Sequence, residues 1–302
     1  MDNNPLLCDP DSGVCIMPNA SDTSSEHEWS SNQQAPIQIV YFTDPICSSC
    51  WGIEPQLRKL KLEYGNSIHI EYRMGGLLPD WSYNSGGISQ PSDVASHWDE
   101  VSHHYDMPID GDVWLEDPLE SSYPPSIAFK AAQIQSEAKA LLFLREIREM
   151  VFLQKKNICK WEHLKMAATK FNLDTNQMKT DMDGKANDLF KEDLILGKAL
   201  GVRGFPTLFF RDTNGKAQTV YGSRPYETYE NTLKLLMPNI IKQEVNNSFD
   251  ALFTKFGSLT LREFAELSGM ERSDAEKMLN EKTILGVLKK YDTKNGAIWI
   301  KK

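Results

Sequence analysis

Residues 36 to 52, PIQIVYFTDPICSSCWG, carry two cysteines at a seam between two kinds of chain. A β-branched and aromatic run ends at Asp44-Pro45, and from Ser48 the apolar positions Trp51, Ile53, Leu57, Leu60 and Leu62 recur near helical spacing as far as Tyr64, with Gly65 as a C-cap. SIHIEYRMGG (67–76) then reads as a second strand. Strand, helix and strand in so short a span form a βαβ unit, which requires a parallel strand pair and a right-handed crossover.

Further along, Ser92 to Tyr105 predicts a helix, Pro124 to Lys155 a longer one, and 160–171, 174–182 and 185–200 three more. The β signal returns at FPTLFFRD (205–212), turns at TNG (213–215) and continues through KAQTVYG (216–222), a hairpin followed by a helix from Tyr226 to Met237. The fold class expected is α/β: a thioredoxin fold with a large helical insertion over about 78–200, filling residues 37–240. From about 241 to 302 the pattern is helix (260–270), helix (273–282, with Ser273 as N-cap) and a hairpin around Asn295-Gly296, the outline of a small winged-helix-like domain.

A CxxC at the start of a helix has a physical logic. Unpaired backbone N–H groups and the positive end of the helix dipole favour a thiolate on the first cysteine, Cys47, and the second, Cys50, lies close enough to close a disulfide. Spacing alone leaves a structural or metal-binding role open. Three observations favour redox chemistry. The motif joins a strand to a helix. No second CxxC or His pair at ligand spacing completes a zinc site, since His103 and His104 are adjacent and point to different sides of a helix. Finally, GVRGFPTLFF offers a proline before the third strand, where a cis peptide would bring backbone against the disulfide.

DPICSSCWGIEP together with GVRGFPTLFF resembles the thioredoxin-like DsbA family, most closely its cytoplasmic branch of FrnE-like dithiol-disulfide oxidoreductases, over about 37–237. The resemblance implies a protein disulfide oxidoreductase or isomerase with Cys47 as nucleophile, Cys50 as resolving thiol and Phe205-Pro206 as the cis bond facing them. It places Asp44, Pro45, Trp51, Phe205 and Thr207 around the substrate and makes Asp44 an influence on local pKa, a turn or N-cap role being the alternative. No cofactor beyond the redox-active disulfide is implied. Where that branch often has a bulky pair between its cysteines, this chain has Ser48-Ser49, so the direction of exchange stays open. The chain also resembles adaptor proteins of the Bacillus type that deliver a transcription regulator to the ClpXP protease. In that reading the fold is a docking surface and turnover is secondary.

Of the formal charge of −9, residues 1–36 hold −6 with no Lys or Arg, and their Asn, Ser, Asp and Pro content predicts a mobile acidic arm. Within it Cys8 and Cys15 flank a turn-forming DPDSG and have oddly apolar neighbours, which suggests an accessory dithiol able to exchange with Cys47-Cys50. Cys159, beside Trp161, reads as a buried core thiol. Trp81, Tyr83, Trp98 and Trp114 could line a groove for an extended chain or pack internally. The partners expected are protein or small-molecule thiols and disulfides, with a protein contact through the C-terminal domain. Nucleic acid is disfavoured because helix 273–282 carries Asp274, Glu276 and Glu281 against Lys277 and Lys282, and phosphate repels that face. No apolar run is long enough to span a bilayer, and the first residues show no secretory pattern, so the cytoplasm is the expected compartment.

Overall fold

The computed structural model describes residues 8–9, 12–16, 35–82 and 90–302. Strands β1 (Cys8–Asp9) and β2 (Val14–Ile16) come first. The βαβ unit follows as β3 (Ile37–Thr43), α1 (Ser48–Gly52), α2 (Glu54–Tyr64) and β4 (Ile68–Met74). The insertion holds α3 (Ser92–Tyr105), α4 (Val113–Glu116), α5 (Tyr123–Gln135), α6 (Glu137–Leu153), α7 (Trp161–Lys170), α8 (Thr175–Met182) and α9 (Lys185–Ala199). The chain re-enters the sheet through β5 (Gly204–Phe205), β6 (Thr207–Asp212), β7 (Ala217–Tyr221) and α10 (Tyr226–Leu236). It ends in α11 (Phe249–Phe256), β8 (Ser258–Thr260), α12 (Leu261–Ser268), α13 (Arg272–Ile284), β9 (Leu288–Thr293) and β10 (Gly296–Lys301).

The main sheet has the order β4-β3-β6-β7, with β3 parallel to β4 and the other pairs antiparallel. Position in the sheet follows from side-chain pattern. β3 is a nearly continuous apolar run buried on both faces and takes the interior, while β4 alternates buried with half-buried residues and takes the edge. Together with the helical insertion this is a thioredoxin-like α/β core of DsbA-like architecture.

Three local expectations need correction. The helix expected over 48–64 is two helices, because Ile53 leaves helical geometry (φ −96°, ψ 3°) and Pro55 supplies no N–H to continue the ladder from α1. The stretch 124–155 is likewise divided at Ser136, which is extended (φ −169°, ψ 120°) and caps α6 by accepting the Lys139 N–H. Ser273 is not an N-cap: α13 begins at Arg272 after Glu271, with no side-chain cap. Within 1–36 the described residues include two short strands. β1 and β2 form a hairpin, and β2 pairs with β5 because Val14 and Cys15 bury their side chains against the body.

The C-terminal residues build a second core around Leu252, Phe253, Leu259, Phe264, Leu279 and Trp299, which Leu62 of α2 joins. A three-stranded sheet of order β8-β10-β9 covers it. This unit is fastened to the body by buried charge. Arg145 of α6 donates two hydrogen bonds to Glu263 of α12, at 2.8 and 3.0 Å, and Arg58 of α2 lies 3.3 Å from the same carboxylate. Burial alone would raise the Glu263 pKa, but Arg145 and Arg58 outweigh it and hold the carboxyl below its usual range. Glu263 also completes a capping box with Thr260. The β9–β10 turn is equally engaged, since Lys294 and Asn295 bind Asp99, Asp112 and the Ile109 carbonyl.

Removing one member of a buried charge cluster strands the others without compensation. Glu263→Gln is therefore expected to lower the unfolding free energy by roughly 3–5 kcal/mol. Urea denaturation measures it, and a loss under about 1 kcal/mol, the level of an exposed ion pair, refutes the account.

Candidate thiol–disulfide site

Asp44 and Pro45 end β3, and the chain turns there so that Cys47 becomes the N-cap of α1. Cys47 is extended (φ −74°, ψ 107°), and its Sγ accepts the Cys50 backbone N–H at 3.1 Å. Cys47 and Cys50 form a disulfide with their Cα atoms 5.2 Å apart. An N–H aimed at Sγ stabilises negative charge there, so the first cysteine is the one favoured as thiolate once the pair is reduced. The geometry is that of a thiol–disulfide active site in a thioredoxin fold.

The Phe205-Pro206 peptide is cis. Phe205 is fully buried, with its ring against Gly75, where a Cβ would lie 1.7 Å from it. Thr207 is buried and its hydroxyl donates to the Gly204 carbonyl at 2.7 Å. Cys15 is paired in register with Phe205, and its Sγ lies 3.4 Å from that of Cys47. Cys8 stands opposite Cys15 across the β1–β2 hairpin. The strand pairing thus brings the CxxC, the prolyl turn and the arm together.

Trp51 and Asp44 are fully buried. The Trp51 ring stacks on Phe152 at 5.4 Å, lies under the Arg145 guanidinium at 4.3 Å and donates its N–H to the Pro108 carbonyl. Asp44 makes the turn before Cys47 by accepting the Ile46 N–H at 3.0 Å, and it also accepts from the Leu77 N–H and the Ser122 hydroxyl, each at 2.8 Å. Trp98 and Trp114 pack internally, 5.1 Å apart, and Trp81 packs on Trp114; Tyr83 lies outside the described residues. Burial pushes the Cys159 thiol up to about 11, so it is not a nucleophile at neutral pH. Residues without a signal in the sequence also shape the site. The Tyr105 hydroxyl bonds Ser49 at 3.0 Å, and Arg148 ties Thr43, Glu54 and the Asp44 carbonyl together. Their partners lie 56 to 105 residues away in the chain, beyond any local pattern. Among the described residues no cluster of His, Cys, Asp and Glu could hold a metal ion, and no helix is long and apolar enough to cross a membrane.

A family model described as Thioredoxin matches residues 41–231. ClpXP adapter protein SpxH of Halalkalibacterium halodurans is 32% identical, the match covering 98% of this chain and 97% of that protein. The protein of the same name from Bacillus subtilis is 28% identical, over 87% of this chain and 89% of its own. Among solved structures, the cytosolic disulfide reductase DsbM of Pseudomonas aeruginosa shares the fold with a TM-score of 0.53 and 20% identity, covering 66% of this chain and 99% of that one.

Asp44 gives the site a pH signature. Desolvation raises its carboxyl to about 6, against the hydrogen bonds from Leu77, Ile46 and Ser122 that lower it. Between its ordinary value of 3.8 and about 6 the folded chain therefore keeps a proton that the unfolded chain has lost. The stability linked to that proton is complete below 3.8 and is lost as pH rises through about 6. A raised pKa of this size corresponds to about 3 kcal/mol. Relative to Asp44→Asn, the wild type is expected to lose that amount between pH 4 and pH 7 in denaturant titrations, on the order of 3 kcal/mol. A wild-type-minus-variant difference that does not change with pH refutes the assignment.

Proposed function

The chain belongs to the thioredoxin family and shares a family with the curated ClpXP adapter relatives over almost its whole length; from that premise we propose that it exchanges thiols and disulfides with polypeptide clients at Cys47-Cys50. The carrying observation is the Cys47 sulfur at the head of α1, bonded to Cys50 and receiving the Cys50 N–H. In the reductive direction the Cys47 thiolate attacks a client disulfide, forming a mixed disulfide and releasing one client thiolate. Cys50, deprotonated, then attacks Cys47, regenerating the intramolecular disulfide and freeing the second client thiolate. Oxidation of a client is the reverse. Phe205, Pro206 and Thr207 would offer backbone to the client chain, while Asp44 and Trp51 act behind the site by holding the loop and helix in position. The finer assignment, to a FrnE-like branch of the DsbA type, rests on the two sequence motifs.

A second reading is supported by a specific observation. The fold shared with the disulfide reductase covers about two thirds of the chain, whereas the match to the adapter relatives runs through the C-terminal unit as well. We therefore propose that the protein also serves as a client-delivery adapter for a ClpXP-type protease, with the thioredoxin body as client surface and residues 241–302, read as winged-helix-like, as a protein contact. Both roles suit a reducing compartment, and the cytoplasm is the proposed one.

Insulin reduction separates the readings. Cys47→Ser is expected to slow turnover by roughly 100-fold or more, and Cys50→Ser to accumulate a client mixed disulfide. Equal rates for wild type, Cys47→Ser and Cys50→Ser refute exchange. In a reconstituted ClpXP degradation assay, acceleration by both the wild type and the double serine variant is expected from delivery; acceleration by neither refutes it.

A further inference from the structure

Residues 12–16 occupy the seat beside the CxxC. β2 runs antiparallel to β5, with Cys15 opposite Phe205 and Ile16 opposite Gly204. The loop after β7 clasps the arm: the Ser223 N–H donates to the Gly13 carbonyl at 2.7 Å, and Arg224 donates to the Ser12 carbonyl at 2.9 Å. The seat is fitted to this segment. At Gly204 any Cβ would stand 2.4 Å from the Cys15 carbonyl oxygen and 2.6 Å from Val14, so only glycine lets the arm backbone approach. Cys47 has no exposed surface, and the Cys15 sulfur lies 3.4 Å from its own. Cys15 is itself disulfide-bonded, and the hairpin register sets Cys8 opposite it in the backbone pairing.

We infer that the arm is a tethered client: Cys15 exchanges disulfides with Cys47 within one chain, and an external client enters only when the arm leaves. This rests on the exchange reading above. With the arm oxidised as Cys8–Cys15 and the CxxC reduced, the Cys47 thiolate attacks Cys15 Sγ. The Cys15–Cys47 bond forms, the Cys8–Cys15 bond breaks, and Cys8 departs as a thiolate that takes up a proton. Cys50, having given up its proton, attacks Cys47 Sγ, so that Cys47–Cys50 forms and Cys15 leaves to be protonated. Two electrons pass from the CxxC to the arm, and the reverse sequence returns them. The arm also defines the client class: an extended segment with a cysteine between β-branched residues, as in Val14-Cys15-Ile16.

The test uses the full chain in two variants. In Cys8→Ser/Cys50→Ser both resolving thiols are gone, and oxidation with glutathione disulfide is expected to leave Cys15 and Cys47 joined, seen by non-reducing peptide mapping of the monomer. Recovery of Cys47 as a glutathione adduct with Cys15 unlinked overturns the inference. Gly13→Val puts a side chain at φ +67°, 2.7 Å from the Ser223 nitrogen, and unseats the hairpin without touching the CxxC. In the reduced protein it is expected to speed iodoacetamide alkylation of Cys47 tenfold or more, and an unchanged rate overturns the claim of cover. Reduction of an external peptide disulfide by Gly13→Val keeps the failures apart. If that proceeds without a Cys15–Cys47 link, the tether is wrong and exchange stands; if Gly13→Val reduces nothing, exchange itself is wrong.

Discussion

One indole holds the arrangement together. Trp51 follows the second cysteine and is enclosed on every side: Phe152 below it, the Arg145 guanidinium above it, the Pro108 carbonyl at its N–H. A five-residue helix such as α1 has little stability of its own, so its place is set by what this ring packs against. From Phe152 the aromatic contacts continue through Trp98, Trp114 and Trp81 into the insertion. From Arg145 the charge network continues into the C-terminal unit through Glu263. The helix that carries the sulfurs is thus fixed by contacts from the helical insertion and, through Arg145, from the C-terminal unit.

Those contacts also show what the sequence made legible. The strands of the βαβ unit, the returning hairpin and the CxxC at a helix start are local patterns, and the structure has them where they were expected because strand alternation and helical spacing act over few residues. The breaks at Ile53 and Ser136 were harder, since a continuous apolar period hides a change of axis. Long-range partners were not readable at all. Arg148 bonds Thr43 across 105 residues, and nothing in either neighbourhood distinguishes that arginine from an exposed one. In the arm, composition gives no hint that Val14 to Ile16 pair with the strand edge at β5.

The two proposed roles, exchange and delivery, would place different demands on the same site. Turnover needs Cys50 to resolve the mixed disulfide quickly, whereas delivery gains from holding the client, which main-chain pairing to a strand edge can do without any covalent bond. The serine pair between the cysteines bears on this balance. Ser49 spends its hydroxyl on Tyr105, and both serines are buried, so α1 is tied to α3 at the level of the sulfurs.

A tethered strand competes with every external one, and the terms of that competition follow from the tether. A segment attached to the same chain acts at an effective concentration in about the millimolar range when its linker spans the gap, far above most free partners. External affinity is then reduced by the fraction of chains whose groove stands open. The arm's own sulfur state can change that fraction. A bond between the two arm cysteines would hold β2 in its paired form, whereas without it β2 keeps its backbone pairing, Val14 burial and the clasp from Ser223 and Arg224. On the tethered-client reading, a cross-linked arm would favour the covered state and a reduced arm the open one.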